Sequence, residues 1–561
     1  MIRRALIALL VIVLSALTYP GALVVSLAVM ATPSRAVTTG PSGALPWLHV
    51  AHPSSGRPYI ADEQGRMLLL HGATPAGLLE FGPQTTPPYP IDPSAYAGGR
   101  CPARNPDSKY PPLCRTDLEA MAALGFDSLR LPISWSILEP ERGKFSNAYL
   151  ERIAQIVDWA RALRMYVMID MHQNAFSHYV EKGSGVNLGF NSGAPRWATI
   201  TDGFPSFALM DQRELNPAVF QATTNFWYDR AGLQDEYIAA LAFLARRFVD
   251  DSAVAGYGLY NEPWPGWNLS PGFEDLLLYP FYRRVIDAIT GTRDGLPCWS
   301  GFFMPAVCGY RDVGVGDRRH LMLLDTGLPR EIADFPTHLG LPFSSYPNLV
   351  FALHAYTHIY TPDQLVLHQD PRKASYPWGG YGQGYASAER EARAIGAALF
   401  VEEFGNNPGD DDAVLANQLM QQENHSLGFQ FWTWKEKGGG AWGMFDESTG
   451  CLRPAREAML ARVYPRVTAD PDPTFHYDPA DGRFTLRAHG HAGDPTTVVY
   501  VPREVGGQVT SEGAATVVVS ENEGDGSRLV FATPTGGQFA IAVLAAPLRL
   551  TGCEGQISAS S

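Results

Sequence analysis

Two stretches of the chain end in carboxylates that a buried strand would not keep without a use. "GYGLYNEPWPGW" (256–267) runs apolar and glycine-rich, then stops at Asn261, Glu262 and Pro263. "AALFVEEFG" (397–405) does the same at Glu402 and Glu403. A protonated carboxyl and an ionised one, facing each other across an anomeric carbon, are what hydrolysis of a glycosidic bond needs. Other apolar runs end in residues that fit this chemistry: Arg130 in "FDSLRLPISW", His172 in "MIDMHQN", His354 and Tyr356 in "FALHAY", and Trp432 and Trp434 in "FQFWTW". Aromatic faces suit the C–H surface of a sugar. Each residue alone has an ordinary explanation: an ion-pair partner, a satisfied core histidine, packing, a surface salt bridge. Packing explains them poorly as a set, because buried charges are costly unless paired or used.

The elements that must bring these residues together are eight short apolar runs: "RMLLLHG" (66–72), "GFDSLRLP" (125–132), "RMYVMIDMH" (164–172), "VAGYGLYNE" (254–262), "RHLMLLD" (319–325), "NLVFALHAY" (348–356), "AALFVEEFG" (397–405) and "LGFQFWTW" (427–434). Helical patterns separate them. Over 147–163, Leu150, Ile153, Ile156, Val157 and Ala160 recur at helical spacing. Thr116 and Asn147 are the expected N-caps. Apolar strands alternating with helices predict an α/β fold, a (β/α)8 TIM barrel over 45–465 with its site at the C-terminal strand ends. Glu262 and Glu403, on the fourth and seventh runs, would then face each other across the mouth. An open doubly wound sheet is the alternative, weakened because "HGATPAG" is not a G-x-G-x-x-G loop. From 466 to 553, short alternating strands split by Gly, Pro and Asp predict a small β-sandwich, with 554–561 as a tail. The segment 173–232 is long for a loop and is expected to cover the site or carry structure of its own.

A formal net charge of −14, with no basic stripe, excludes a nucleic-acid partner and disfavours tight docking on anionic membranes. Residues 1–36 open with two arginines and an apolar run, an export signal; an uncleaved membrane anchor is the alternative. The protein is therefore expected to be secreted or held at the cell envelope, monomeric, with transient membrane or micelle contact. Six cysteines agree with an oxidising compartment. Several pairings are open; spacing favours Cys101–Cys114 and Cys298–Cys308, leaving Cys451 with Cys553. No Cys/His cluster calls for a metal, and no cofactor is expected. A zinc hydrolase built on His354 and His358 lacks the H-E-x-x-H helix.

"YNEP" on the fourth run and "EFG" on the seventh resemble the acid/base and nucleophile motifs of glycoside hydrolase family 5. All eight active-site positions of that family have matches here: Arg130, His172, Asn261, Glu262, His354, Tyr356, Glu403 and Trp432. The resemblance implies a retaining β-glycosidase. Glu403 would be its nucleophile, since it directly precedes Phe-Gly, and Glu262 its acid/base. Asn261 would hold the sugar 2-hydroxyl, Arg130 and Tyr356 would orient Glu403, and His172 and His354 would position Glu262 and the sugar hydroxyls. Glu402 is expected on the strand's other face, in an ion pair. The two catalytic carboxyls are expected about 5–5.5 Å apart, with Glu262 protonated through burial and the Glu403 charge.

The stretch 126–177 is similar to endoglycoceramidases and related glycosylceramidases. This likeness implies cleavage of the bond between sugar and ceramide, with an apolar slot that Trp264, Trp267 and Phe273 would line; ordinary loop packing is the plainer account of those three. Two positions depart from the pattern. Asn174 stands where the resemblance implies aspartate, and "HGATPAGLLEFG" lacks the expected lysine. Both bear on sugar recognition, and Asn174 is counted with the substrate-binding residues. A family 5 endoglucanase or mannanase acting on polysaccharide is the alternative enzyme. A non-catalytic glycan-binding protein is the alternative outside catalysis, disfavoured because both glutamates are present.

Overall fold

A computed structural model describes residues 44–552, apart from 81–87, 104–107, 181–190, 210–212, 269–271, 294–299, 302–303, 306, 310–311, 334–343, 357–380, 408–411, 438–441, 447 and 523–524. Each of the eight apolar runs supplies one strand to a closed parallel barrel: β1 (His71–Ala73), β2 (Ser128–Ile133), β3 (Tyr166–Met171), β4 (Val254–Gly258), β5 (Leu321–Asp325), β6 (Leu349–His354), β7 (Ala398–Phe404) and β8 (Phe429–Phe431). β8 returns to β1 through Phe429↔His71 and Phe431↔Ala73, which closes the ring. β2, β3 and β7 are buried at every position, as parallel strands are when helices cover one face and side chains fill the other. The helix Asn147–Ala162 buries Ile153, Ile156, Val157 and Ala160, the stripe read from its spacing.

Helix starts fall slightly earlier than expected. Ser146, not Asn147, caps that helix by accepting the Tyr149 N–H at 3.3 Å. Cys114, not Thr116, precedes the helix Arg115–Ala123, and its N–H is taken by Asp117 at 2.9 Å. A cap must reach the third helical N–H or be reached back from it, and adjacent polar residues compete for that role.

The expected Cys101–Cys114 disulfide is present, with Cα atoms 5.4 Å apart. Cys308 and Cys451 are also disulfide-bonded; Cys298 and Cys553, their expected partners, lie outside the described residues. Replacing Cys101 and Cys114 together by alanine should lower stability by about 3 kcal/mol, the chain-entropy value for a loop of this size. Denaturant unfolding at constant slope measures it, and an unchanged midpoint would mean that the bond constrains nothing.

The C-terminal region is a nine-stranded antiparallel sheet that does not stand alone. Three of its strands, His49–Ala51, Tyr59–Ala61 and Met67–Leu68, come from before the barrel; Met67–Leu68 pairs with Tyr464–Thr468. The run read as a single barrel strand over 66–72 therefore feeds two sheets. The C-terminal strands alternate as expected: Arg483–Gly490 is exposed and buried at successive positions. At the seam Tyr464 stacks on His71 of β1, ring centres 3.7 Å apart. Among the described residues no helix is long and apolar enough to cross a membrane; the N-terminal apolar segment lies outside them.

Candidate active site

Arg130, on β2, is fully buried at the barrel axis. Its guanidinium donates to Oε2 of Glu403, and to Oδ1 of Asn261 at 2.6 Å. Tyr356, just past β6, donates its hydroxyl to the other Glu403 oxygen at 2.5 Å. Both carboxylate oxygens thus accept strong hydrogen bonds from opposite sides, which fixes the orientation of Glu403. The β6–β7 ladder slips at this level: Leu353 pairs with Val401, then His354 with Glu403. Glu402 is the extra residue. The local bulge, not simple alternation, sets its direction, so Glu402 lies fully buried 3.4 Å from the Arg130 Nε rather than across the strand from the site. The expected cationic neighbour is there; the expected opposite face is not.

Glu262 lies four residues beyond the end of β4, in the left-handed region at φ +42°. Its N–H is accepted by Oδ2 of Asp325 at 3.0 Å, and its Oε1 lies 3.1 Å from Nδ1 of His354. Gln173 clamps the Asn261-Glu262 pair by donating to both main-chain carbonyls at 2.8 Å. A carboxylate oxygen of Glu262, one of Glu403 and a ring nitrogen of His354 lie within 4.8 Å of one another.

The protonation of Glu262 departs from expectation. Burial pushes its carboxyl up, but the hydrogen bond and charge of His354, then the charges of His172 and Arg213, bring it below the usual range. His354 moves the other way: burial opposes its charge, yet Glu331, Asp325 and Glu403 push it well above the usual imidazole value. A proton between two such groups belongs to the pair.

His172 gives or takes a hydrogen bond at each nitrogen, Nδ1 to Asp170 at 2.8 Å and Nε2 to the Asn174 amide at 2.9 Å. Its ring lies parallel to Trp432, centres 5.7 Å apart, and Trp432 meets Tyr110 edge-on.

Residues 110–295 match the family Cellulase (glycosyl hydrolase family 5), a span that holds β2, β3, β4 and Glu262. The chain is a glycoside hydrolase, similar over that span to family 5. The hydrolase is 26% identical over 453 residues to endoglycoceramidase I of Rhodococcus hoagii, covering 75% of this chain and 81% of that one. It superposes on the crystal structure of an endogalactoceramidase with a TM-score of 0.66 at 27% identity, over 89% of this chain and all of the other. It shares the fold of endo-glycoceramidase II from Rhodococcus sp. in its ganglioside GM3 complex, TM-score 0.67 at 24% identity over 88% and 100% of the two chains.

Asn174 has a local reason in this hydrolase. Its Oδ1 accepts from Arg213 at 2.8 Å while its N–H goes to His172; an ionised aspartate has no N–H to give. Trp434, read as a site residue, is not brought to the mouth. It is 1% exposed, it donates its indole N–H to Asp117 at 3.0 Å, and it packs edge-on against Phe445. β8 ends at Phe431, so the two-residue spacing from Trp432 no longer keeps both tryptophans on one face. Phe273 is core packing against Trp227, whereas Trp267 is 47% exposed. His358 lies outside the described residues.

The sequence reading missed Asp170, Asp325 and Glu331, all buried beside Arg130 or His354. Asp325 is the last residue of "RHLMLLD", so the strand-end rule that picked Glu262 and Glu403 would have found it. Arg213 and Glu331 follow strands at some distance, and nothing local marks them.

Proposed function

We propose that this hydrolase cleaves the β-glycosidic bond between the glycan and the lipid of glycosphingolipids, with retention. Glu403 is the nucleophile and Glu262 the acid/base. The observation that carries the mechanism is the placement of the two carboxyls across the mouth with oxygens within 4.8 Å. That gap suits direct attack and is shorter than the roughly 6.5–9.5 Å an inverting enzyme keeps for its water. Glu403, aimed by Arg130 and Tyr356, attacks the anomeric carbon. The shared proton of Glu262 and His354 goes to the departing oxygen. Glu262 then removes a proton from the water that releases the glycan. Asn261, beside Glu262, meets the 2-hydroxyl, and Asn174, oriented by His172, meets hydroxyls further out.

The lipid reading is supported by the names of the relatives and by an apolar group in the segment after β3 and past the Asn-Glu-Pro turn. Phe204, Phe207, Leu209 and Trp267 are each more than a third exposed, and Phe204 and Trp267 touch, ring centres 5.7 Å apart. Exposed apolar groups of this kind suit acyl chains or a micelle edge. Trp432→Ala should lower kcat/KM by roughly 10- to 100-fold through lost sugar contact, chiefly in KM; no change would take Trp432 out of the sugar site.

The test is product analysis by mass spectrometry with glucosylceramide, galactosylceramide, lactosylceramide, a ganglioside, and cellulose or mannan oligosaccharides. Free ceramide with an intact glycan establishes the reading. Cleavage of the oligosaccharides alone moves the function to polysaccharide.

A further inference from the structure

Beneath the proposed acid/base lies a group of buried carboxyls that the reaction steps above do not use. Asp325 closes β5 with its side chain fully buried. One oxygen, Oδ2, accepts the Glu262 N–H at 3.0 Å and lies 3.2 Å from Nε2 of His354. Asp325 thereby holds both the main chain of the acid and the imidazole that touches its carboxyl. The hold has something to resist: a non-glycine residue is strained in the left-handed region, and Glu262 sits there at φ +42°.

The second member of the group is Glu402, brought inward by the β7 bulge. Its carboxyl and that of Asp325 both lie against the Arg130 guanidinium, 3.4 Å from Nε and 3.8 Å from Nη2, within reach of each other. Among the described residues, neither Glu402 oxygen nor Oδ1 of Asp325 receives an N–H or hydroxyl hydrogen bond. Two buried carboxyls that face each other cannot both stay ionised, and one proton between them satisfies the orphaned oxygens. The environments differ in a way that sorts the proton. Burial opposes ionisation of Asp325, but His354, Glu402 and Arg130 hold it down to about 2. Burial, then the Asp325 charge, pushes Glu402 well above the usual carboxylate range.

We propose that Asp325 and Glu402 form a carboxylate–carboxyl pair with the proton on Glu402, and that through it Asp325 acts as the positioning residue for Glu262 and His354. The proposal rests on Glu262 being the acid/base. A proton moved to Asp325 would weaken its hold on His354; a proton lost from Glu402 would set two buried anions against each other.

The experiment combines kinetics with infrared difference spectra. Asp325→Asn should lose about 10²-fold on a glycoside with a poor leaving group, which needs the proton, and less than tenfold on a dinitrophenyl glycoside, which does not. Glu402→Gln keeps a donor toward Asp325 and should lose less than tenfold, while Glu402→Ala should lose as much as Asp325→Asn. The wild type at neutral pH should show one protonated-carboxyl carbonyl band that its difference spectrum against Glu402→Gln isolates; Glu331 and Glu139, also pushed up by burial, cancel there. Equal loss of Asp325→Asn on both substrates would make Asp325 merely structural and overturn the positioning role. A wild type without that band would overturn the shared proton. If Asp325→Asn does not fold, the Glu402 variants and the band still decide. If the wild type cleaves no glycoside at all, the functional reading fails, while the spectra still test the pair.

Discussion

Glu403→Gln is expected to abolish turnover, lowering kcat by about 10⁵-fold on any good β-glycoside, the scale seen when a covalent nucleophile is removed. That loss corresponds to about 7 kcal/mol of transition-state stabilisation. An amide is nearly the same size and still accepts the Tyr356 hydrogen bond through its oxygen. It cannot, however, attack the anomeric carbon, and it turns an N–H toward the Arg130 guanidinium or loses that contact. Arg130 keeps Asp170 at 3.0 Å, so its charge is not stranded and the fold should survive; a thermal melt alongside the kinetics checks this. A folded Glu403→Gln with near-normal turnover would mean that Glu403 is not the nucleophile.

Glu262→Ala should show a different signature. With a natural glycoside, whose leaving oxygen must be protonated, kcat/KM should fall by about 10³-fold. With a dinitrophenyl glycoside the loss in the bond-breaking step should be small, and slow release of the glycosyl-enzyme should appear as a burst. The pH profile adds a second reading. The wild-type rate should fall as pH rises and the Glu262–His354 pair gives up its shared proton, an apparent value that belongs to the pair. His354 is pushed up and Glu262 down, so the basic limb lies above the range of an isolated glutamate. Glu262→Ala should lose that limb for the acid-dependent substrate. Equal losses on both leaving groups would remove Glu262 from the acid role.

What was legible in the sequence is what periodicity and strand-end position carry. The eight runs announced the barrel because parallel strands covered on both faces must be apolar throughout, and the residues closing those runs then fell at one mouth. Less legible were features set by three-dimensional register. Glu402 was placed on the wrong face because a bulge in β7 breaks the alternation on which such a reading depends. Trp434 was grouped with Trp432 because a two-residue spacing keeps one face only while the strand continues, and β8 stops at Phe431. The pull on the Glu262 proton was misjudged because the reading included the charge of Glu403 but not the histidine at 3.1 Å or the arginine some fifty residues earlier in the chain. The C-terminal strands, read as a β-sandwich, were recognised from their alternation, but the three strands that join them from before the barrel were not, since two or three residues are too few to show a period.

The split of the 66–72 run reaches beyond the active site. Leu69 belongs to the core of the antiparallel sheet and Leu70 to that of the barrel, so the border between the two passes between neighbouring residues. The barrel is therefore no portable cassette. Cutting the chain near residue 465 would leave Met67–Leu68 without its partner strand and disturb Tyr464, which stacks on His71 of β1. A gene rearrangement that traded away the part after residue 465 would have to replace it with another sheet edge, which ties the inheritance of the catalytic mouth to that of a region remote from it.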